Sequence, residues 1–344
     1  MNTSWDDYLR LPDASLASRE CHLRCKNRFD LHRNNIQRVF DATRPDSVAC
    51  LGTGVLNDIP YRWMVEAGAS IHLVDWLPGI IDAGLALSII GQDEHGQPNC
   101  IYCNSAIDCP EQYCRHYRES RESVQAVCDR FMPTSEPPLR CEAFERAEFP
   151  IVHHEDVTRG YASEFGRGVD DELRGVRSWK QAFARGMALA QNVKRYDMRV
   201  NIADASIKLV TSSMLLSQFD HEPYEYFTRR VAAKLGPPSE NEEKRLLPTM
   251  ESLRKTLLTT QIERHCLEIK RMLAPGGRCY MSFEVFHTVP DSTNWFVVKR
   301  MADALEIVGR HFLFDFDIIP QEEMTTRFAT RGAPSLVFSF VLLL

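Results

Sequence analysis

The sequence predicts an α/β fold: a doubly wound, mostly parallel sheet with helices on both faces and an antiparallel last strand. Three observations predict it. The run "VACLGTGVLNDIP", residues 48–60, passes from an apolar strand through two glycines towards a helical segment. A second strand, "SIHLVD", then closes on Asp75, which completes a βαβ unit. Strand and helix patterns alternate through most of the remaining chain, and only the last two strands, "FLFDFDII" and "SLVFSFVLLL", follow each other without a clear helix between them.

Residues 1–45 are expected to form an N-terminal helical cap, because Leu31, Ile36, Val39 and Phe40 recur at near-helical spacing before the "RPD" break. Residues 46–344 are expected to form the α/β domain. In it "SVACLG" is a buried strand, Pro60 to Ala67 a helix ended by Gly68, and "GIIDAGLALSII" a second helix. Residues 91–148 break the rhythm and read as an insertion holding six of the eleven cysteines. Alternation resumes with the short strand "FPIVHHEDV", a helical, arginine-rich stretch over 161–196, and the strand "ASIKLVTSSMLLSQF" running into a short helix. "GPPSENEEKRLLP" reads as a polar loop, and "MESLRKTLLTTQIERHCLEIKRML" as the longest amphipathic helix, stopped by "APGG". "RCYMSFEVF" is the next strand and "WFVVKRMADALEIVG" the next helix. In such a sheet the ligand site lies at the carboxyl ends of the strands.

Composition narrows the ligand. The 344 residues are 44% hydrophobic and carry a net charge of -6, with a pI near 6.0. That balance disfavours nucleic acid or an anionic membrane as partner and favours a small-molecule substrate. No apolar run reaches the roughly 20 residues of a membrane span, and "MNTSWDDYLRLPD" carries acids where a signal peptide is basic and apolar, so a cytoplasmic location is expected. Nothing in the sequence sets an oligomeric state.

A glycine pair after the first strand of a βαβ unit lets a ligand approach the backbone, since Gly52 and Gly54 lack the Cβ that would block it. Asp75, at the tip of the second strand, is placed to accept hydrogen bonds from ribose hydroxyls. Together they point to a nucleotide or nucleoside; a structural turn with a capping aspartate is the plainer alternative. A dinucleotide site usually has a third glycine, and Gly52-Thr53-Gly54-Val55-Leu56-Asn57 offers none.

The chain resembles the class I S-adenosylmethionine-dependent methyltransferases. The resemblance rests on "VACLGTGVL", "IHLVD", "HHEDV", "LVTSSMLL" and "RMLAPGGRCYMSFEVF" in that order, and runs from about Val48 to Leu344 around the cysteine-rich insertion. It implies a seven-stranded, Rossmann-like methyltransferase fold. It also implies that Gly52, Thr53 and Gly54 line the methionine part of the cofactor, and that Asp75 and Trp76 lie at the ribose. Glu155, Asp156 and Val157 would then lie at the adenine, and Thr211, Ser212 and Ser213 beside the transferring methyl. Two positions depart from the family: Cys50 stands where an acid commonly touches the cofactor's amino group, and Leu56 replaces a glycine. Asn57 and Asp58 are the candidates to compensate by contacting the methionine ammonium and carboxylate, with Asp58 as a helix cap the equal alternative. The fourth strand lacks the Asn/Asp-Pro-Pro-Tyr signature associated with planar amino groups of nucleic acids. No catalytic residue is assigned, because the sulfonium is already activated and methyl transfer mainly needs alignment.

Arg159, Arg167, Arg174, Arg177 and Arg185 read as a solvated helix face, with an anionic substrate as the other reading. In "CIYCNSAIDCPEQYC", Cys100, Cys103, Cys109 and Cys114 have the spacing C-x2-C-x5-C-x4-C, which can close around one Zn²⁺ or one iron–sulfur cluster. Unligated reduced thiols and local disulfides are the alternatives. The expected function is therefore an S-adenosylmethionine-dependent methyltransferase for a small molecule, with a metal site in an insertion. An aminopropyl or aminocarboxypropyl transferase, and a non-catalytic metal-binding or redox-sensing protein, are the other readings.

Overall fold

The computed structural model describes residues 4–8, 29–54, 56–76, 81, 84–85, 90–92, 98–100, 150–193, 198–288, 295–297, 300–330 and 333–344. Five strands form the parallel centre of one sheet: β1 (Ser47–Leu51), β2 (Ser70–Val74), β5 (Ile151–His153), β6 (Ile207–Ser213) and β7 (Leu273–Thr288). Their spatial order is β7-β6-β1-β2-β5, with all four pairings parallel. Strands covered on both faces need near-continuous apolar runs, and β1 and β6 supply them, each buried along almost its whole length. Strand β11 (Ala333–Leu343) adds antiparallel to β7. Strands β9 (Leu313–Asp315) and β10 (Thr325–Thr330) both pair antiparallel with β11, and β8 (Trp295–Val297) pairs antiparallel with β7. Strand order reverses at β1, which places the switch point between β1 and β6.

Helices cover the sheet and extend beyond it. They are α1 (Trp5–Tyr8), α2 (Asp30–Thr43), α3 (Tyr61–Glu66), α4 (Tyr161–Glu172), α5 (Trp179–Asn192), α6 (His221–Leu235), α7 (Glu240–Met272) and α8 (Arg300–His311). The 33 residues of α7 make a rod of about 50 Å. Its two halves serve different cores. Leu258, Ile262, Cys266, Ile269 and Met272 pack into the sheet core with β1, β2, β6 and β7. Leu246, Leu253 and Leu257 belong to a second core with Trp5, Tyr8, Phe165, Phe183, Tyr226 and Phe227, built by α1, α4, α5 and α6. A helical layer therefore stands on the sheet, assembled largely from segments that follow β5 and β6.

Several boundaries differ from the sequence pattern, each for a local reason. "GPPSENEEKRLLP" is mostly helix: Ser239 accepts from the Glu242 N–H while the Glu242 side chain accepts from Ser239, a capping box that starts α7 ten residues early. Of the stretch 161–196, residues 161–192 form two helices, α4 and α5, separated by a turn around Gly175, where φ is +71°, and 194–196 lie outside the described residues. "WFVVKRMADALEIVG" opens as β8 before α8 begins. "APGG" lies inside β7 as a bulge, because Ile207 pairs with Leu273 and Leu209 already pairs with Arg278. The insertion starts with an antiparallel pair, β3 (Ile90–Gln92) and β4 (Pro98–Cys100). Cys100 ends β4, while Cys103, Cys109 and Cys114 lie outside the described residues.

Candidate functional site at the carboxyl ends of β1, β2, β5 and β6

The chain leaves β1 through a turn that folds back on the end of β2. Gly52 N–H and Thr53 N–H both donate to Val74 O, at 2.8 and 3.3 Å. Gly54 N–H then donates to Asp75 Oδ2 at 2.9 Å. Both glycines have positive φ, +65° and +50°, but their surroundings differ. A Cβ on Gly52 would come within 2.6 Å of Leu215 Cδ1, so that glycine makes room for a side chain from the loop after β6. A Cβ on Gly54 would meet no atom of the described residues within 4 Å, so among them there is room beside Asp75 at this glycine. Thr53 between them is buried, and among the described residues its Oγ1 has no hydrogen-bond partner.

Leu56, at the position of the absent glycine, keeps the glycine's backbone. Its φ is +58° while its side chain is buried in the sheet core. Strain of this kind recurs along the same edge: Arg159 after β5 and Met214 after β6 both have φ +56°. Asn57 and Asp58 are buried beyond the turn. Arg33 of α2 donates to Asn57 O. Burial pushes the Asp58 carboxyl up to about 6, against the opposing pull of its hydrogen bond with Ser213 and the nearby Arg33 charge. Cys50 is wholly buried, and desolvation raises its thiol to about 12, so it is a neutral core group.

After β5 the carboxylates are engaged locally. Asp156 accepts from the N–H and hydroxyl of Thr158 and from the N–H and hydroxyl of Ser163, fastening the turn into α4. Glu155 accepts from Asn201 N–H at 2.6 Å. Val157 is tied across the site by His265 of α7: His265 Nδ1 lies 3.3 Å from Val157 O, and its Nε2 lies 2.9 Å from Ser212 Oγ. A carbonyl can only accept, so Nδ1 carries the proton and Ser212 donates to Nε2. Burial lowers His265 to about 4, which keeps the ring in that neutral form. Trp76, partly buried, sets its ring 5.7 Å from that of Trp5 in the helical layer.

Of the residues picked out in the sequence, the structure joins Gly54 to Asp75, Asp58 to Ser213, and Val157 to Ser212 through His265. Thr211 is buried at the level of Cys50. Sequence reasoning missed His265, and also His32, Tyr280 and Ser282. Ser282 Oγ lies 3.2 Å from Ser213 Oγ and 3.5 Å from His32 Nδ1, which is 3.2 Å from the Tyr280 hydroxyl. This polar chain runs from the site under α2. The available signal was polar residues on otherwise apolar faces: His265 lies among Ile262, Cys266 and Ile269 on α7.

The fold is that of the Rossmann-like methyltransferases: a mixed seven-stranded path with its closing strands antiparallel and flanking helices. Among solved structures the chain is similar to a TehB-like SAM-dependent methyltransferase from Corynebacterium glutamicum. The two are 12% identical over 88% of this chain and 84% of that one, with a TM-score of 0.30. A likeness at that level bears on neither substrate nor activity. No family model matches the chain, and no curated protein does. Among the described residues no helix is long and apolar enough to cross a membrane, and no three His, Cys, Asp or Glu side chains are grouped to hold a metal ion.

Proposed function

We propose that the chain is an S-adenosylmethionine-dependent methyltransferase acting on a small molecule. The observation that carries this is the β1 turn. No described atom lies within 4 Å of where a Gly54 Cβ would stand, the buried Thr53 hydroxyl has no described partner, and the Asp75 carboxylate sits alongside. A methionine moiety fits against the glycine, its carboxylate can accept from Thr53, and ribose hydroxyls can donate to Asp75. Asn57 and Asp58 would serve the ammonium and carboxylate in place of Cys50, whose thiol is neutral and buried. Placing an ammonium beside Asp58 would favour its ionised form, offsetting the desolvation that holds it near 6.

The cofactor would bring a methyl on a positively charged sulfur. The chain's task is then to hold the acceptor in line and exclude water. Ser212 and Ser213, fixed by His265 and Ser282, supply a rigid wall at the end of β6 for that purpose. The acidic net charge supports a small-molecule acceptor. For the Cys100, Cys103, Cys109 and Cys114 set, zinc or an iron–sulfur cluster is proposed on spacing alone.

Calorimetric titration with S-adenosylhomocysteine tests the cofactor. The wild-type chain should bind one equivalent, and Asp75→Ala should weaken binding by at least about tenfold, the loss of one to two hydrogen bonds to a charged group. Absence of binding to both S-adenosylhomocysteine and S-adenosylmethionine sinks the proposal.

A further inference from the structure

Three buried polar side chains, Gln261, His265 and Glu268, lie on α7 among its core leucines and isoleucines. Steps of four and three residues keep them on one stripe of the helix. Each holds a segment that borders the sheet. Gln261 Nε2 donates to Phe219 O at 2.7 Å, in the loop after β6. Glu268 Oε1 accepts from Val200 N–H at 3.0 Å, and its other oxygen lies 3.6 Å from Arg159 Nε, in the turn after β5. His265, between them, reaches both strand ends at once: Val157 O through Nδ1 and Ser212 Oγ through Nε2.

Packing alone does not call for a histidine at 265. Ile262, Cys266 and Ile269 belong to the same core, so apolar surroundings are available there. Replacing the partners of a buried hydrogen bond by apolar groups of like shape can leave stability nearly unchanged, whereas a satisfied buried network fixes geometry. What the ring adds is a set distance between two backbone segments. Imidazole is rigid, and Phe219 holds this one edge-on, with centroids 5.1 Å apart at 72°. A displacement of Val157 therefore turns the ring and moves Nε2 against Ser212, and the reverse.

We propose that His265 is a positioning residue that couples the two ends of the site: the turn after β5, at the nucleoside end of the cofactor, and the end of β6, at the acceptor. What occupies each end rests on the methyltransferase reading; the coupling itself rests on the two hydrogen bonds of one ring. A ligand that orders one end then orders the other, although no contact is shared between them.

Two measurements on the full chain separate the coupling from its occupants. In amide hydrogen exchange, Ser212→Ala should speed exchange across residues 156–159 at least about threefold, and should add nothing there in a His265→Leu background. In calorimetry with S-adenosylhomocysteine, His265→Leu should weaken binding at least about fivefold. His265→Gln, whose amide can donate to Val157 O and accept from Ser212, should stay within about twofold of the wild type. A space-filling role predicts the opposite order, since leucine suits an apolar core better than glutamine does. Unchanged exchange at 156–159 in Ser212→Ala, equal effects of that change in both backgrounds, or leucine binding as well as glutamine would overturn the proposal. Failure of the wild-type chain to bind S-adenosylhomocysteine sinks the cofactor reading instead, and the exchange result then decides the coupling by itself.

Discussion

Gly52 and Gly54 share a conformation but differ in what lies beyond the missing Cβ, so one substitution at each separates packing from ligand room. Alanine at either position is held at positive φ, which costs about 1 kcal/mol. At Gly54 nothing described stands in the way, so Gly54→Ala should lose little more than that in urea unfolding, yet bind S-adenosylhomocysteine at least about tenfold more weakly. At Gly52 the methyl meets Leu215, and Gly52→Ala should cost about 2–3 kcal/mol in total. The double change with Leu215→Ala should be less damaging than the sum of the two single changes, because the overlap disappears. Equal stability losses at the two glycines would contradict this division. Leu56 shows the converse compromise. Its strain is about 1 kcal/mol, whereas a buried leucine cut back to nothing costs about 2–5 kcal/mol, so leucine prevails at a glycine-like φ.

At the scale of elements, α7 links the sheet to the helical layer, and its start fixes how far the upper half reaches. The Ser239–Glu242 capping box satisfies two N–H groups of the first turn. Ser239→Ala should therefore cost about 1 kcal/mol by urea unfolding, with Ser239→Asp close to wild type. A loss below a few tenths would mean that the first turn of α7 contributes little to stability. This turn also shows what the sequence concealed. A solvated helix start made of Ser, Glu, Asn and Lys has no apolar period and contains Pro248, so it looks like a loop. The S-x-x-E spacing at 239–242 was the legible sign. The buried strands were readable because burial on both faces demands runs such as "SVACL" and "IKLVTSS". Short edge strands such as β8 and β10 carry no such demand, and their pairing is set by β7 and β11. In the site, Gly52, Gly54 and Asp75 were legible because their local chemistry is specific. His265 and Ser282 were not, since their roles come from contacts more than fifty positions away.

At the scale of the whole molecule, histidines on and around the central sheet are kept neutral by burial, and this sets how stability depends on pH. Burial lowers His32, His72 and His265 each to about 4, against an ordinary value of 6.5. His153, 2.9 Å from His72, is lowered as well. Between about pH 6.5 and pH 4 the unfolded chain gains protons on these rings that the folded chain refuses, so stability present above 6.5 is lost as pH falls. Asp58 acts in the opposite sense. With its folded value raised to about 6 from 3.8, it takes a proton in the folded state first, which favours folding as pH falls through that interval. Burial raises the Glu222 carboxyl as well, in the same sense as Asp58, but the several lowered histidines outweigh these two carboxyls, so the net slope follows the histidines. The urea midpoint should be lower at about pH 5 than at about pH 7, and His265→Gln should flatten the slope while lowering the midpoint at both values. An unchanged or higher wild-type midpoint at the acidic value would show that these rings are charged in the folded protein. The donor and acceptor assignments between His265, Val157 and Ser212 would then have to be reversed or abandoned.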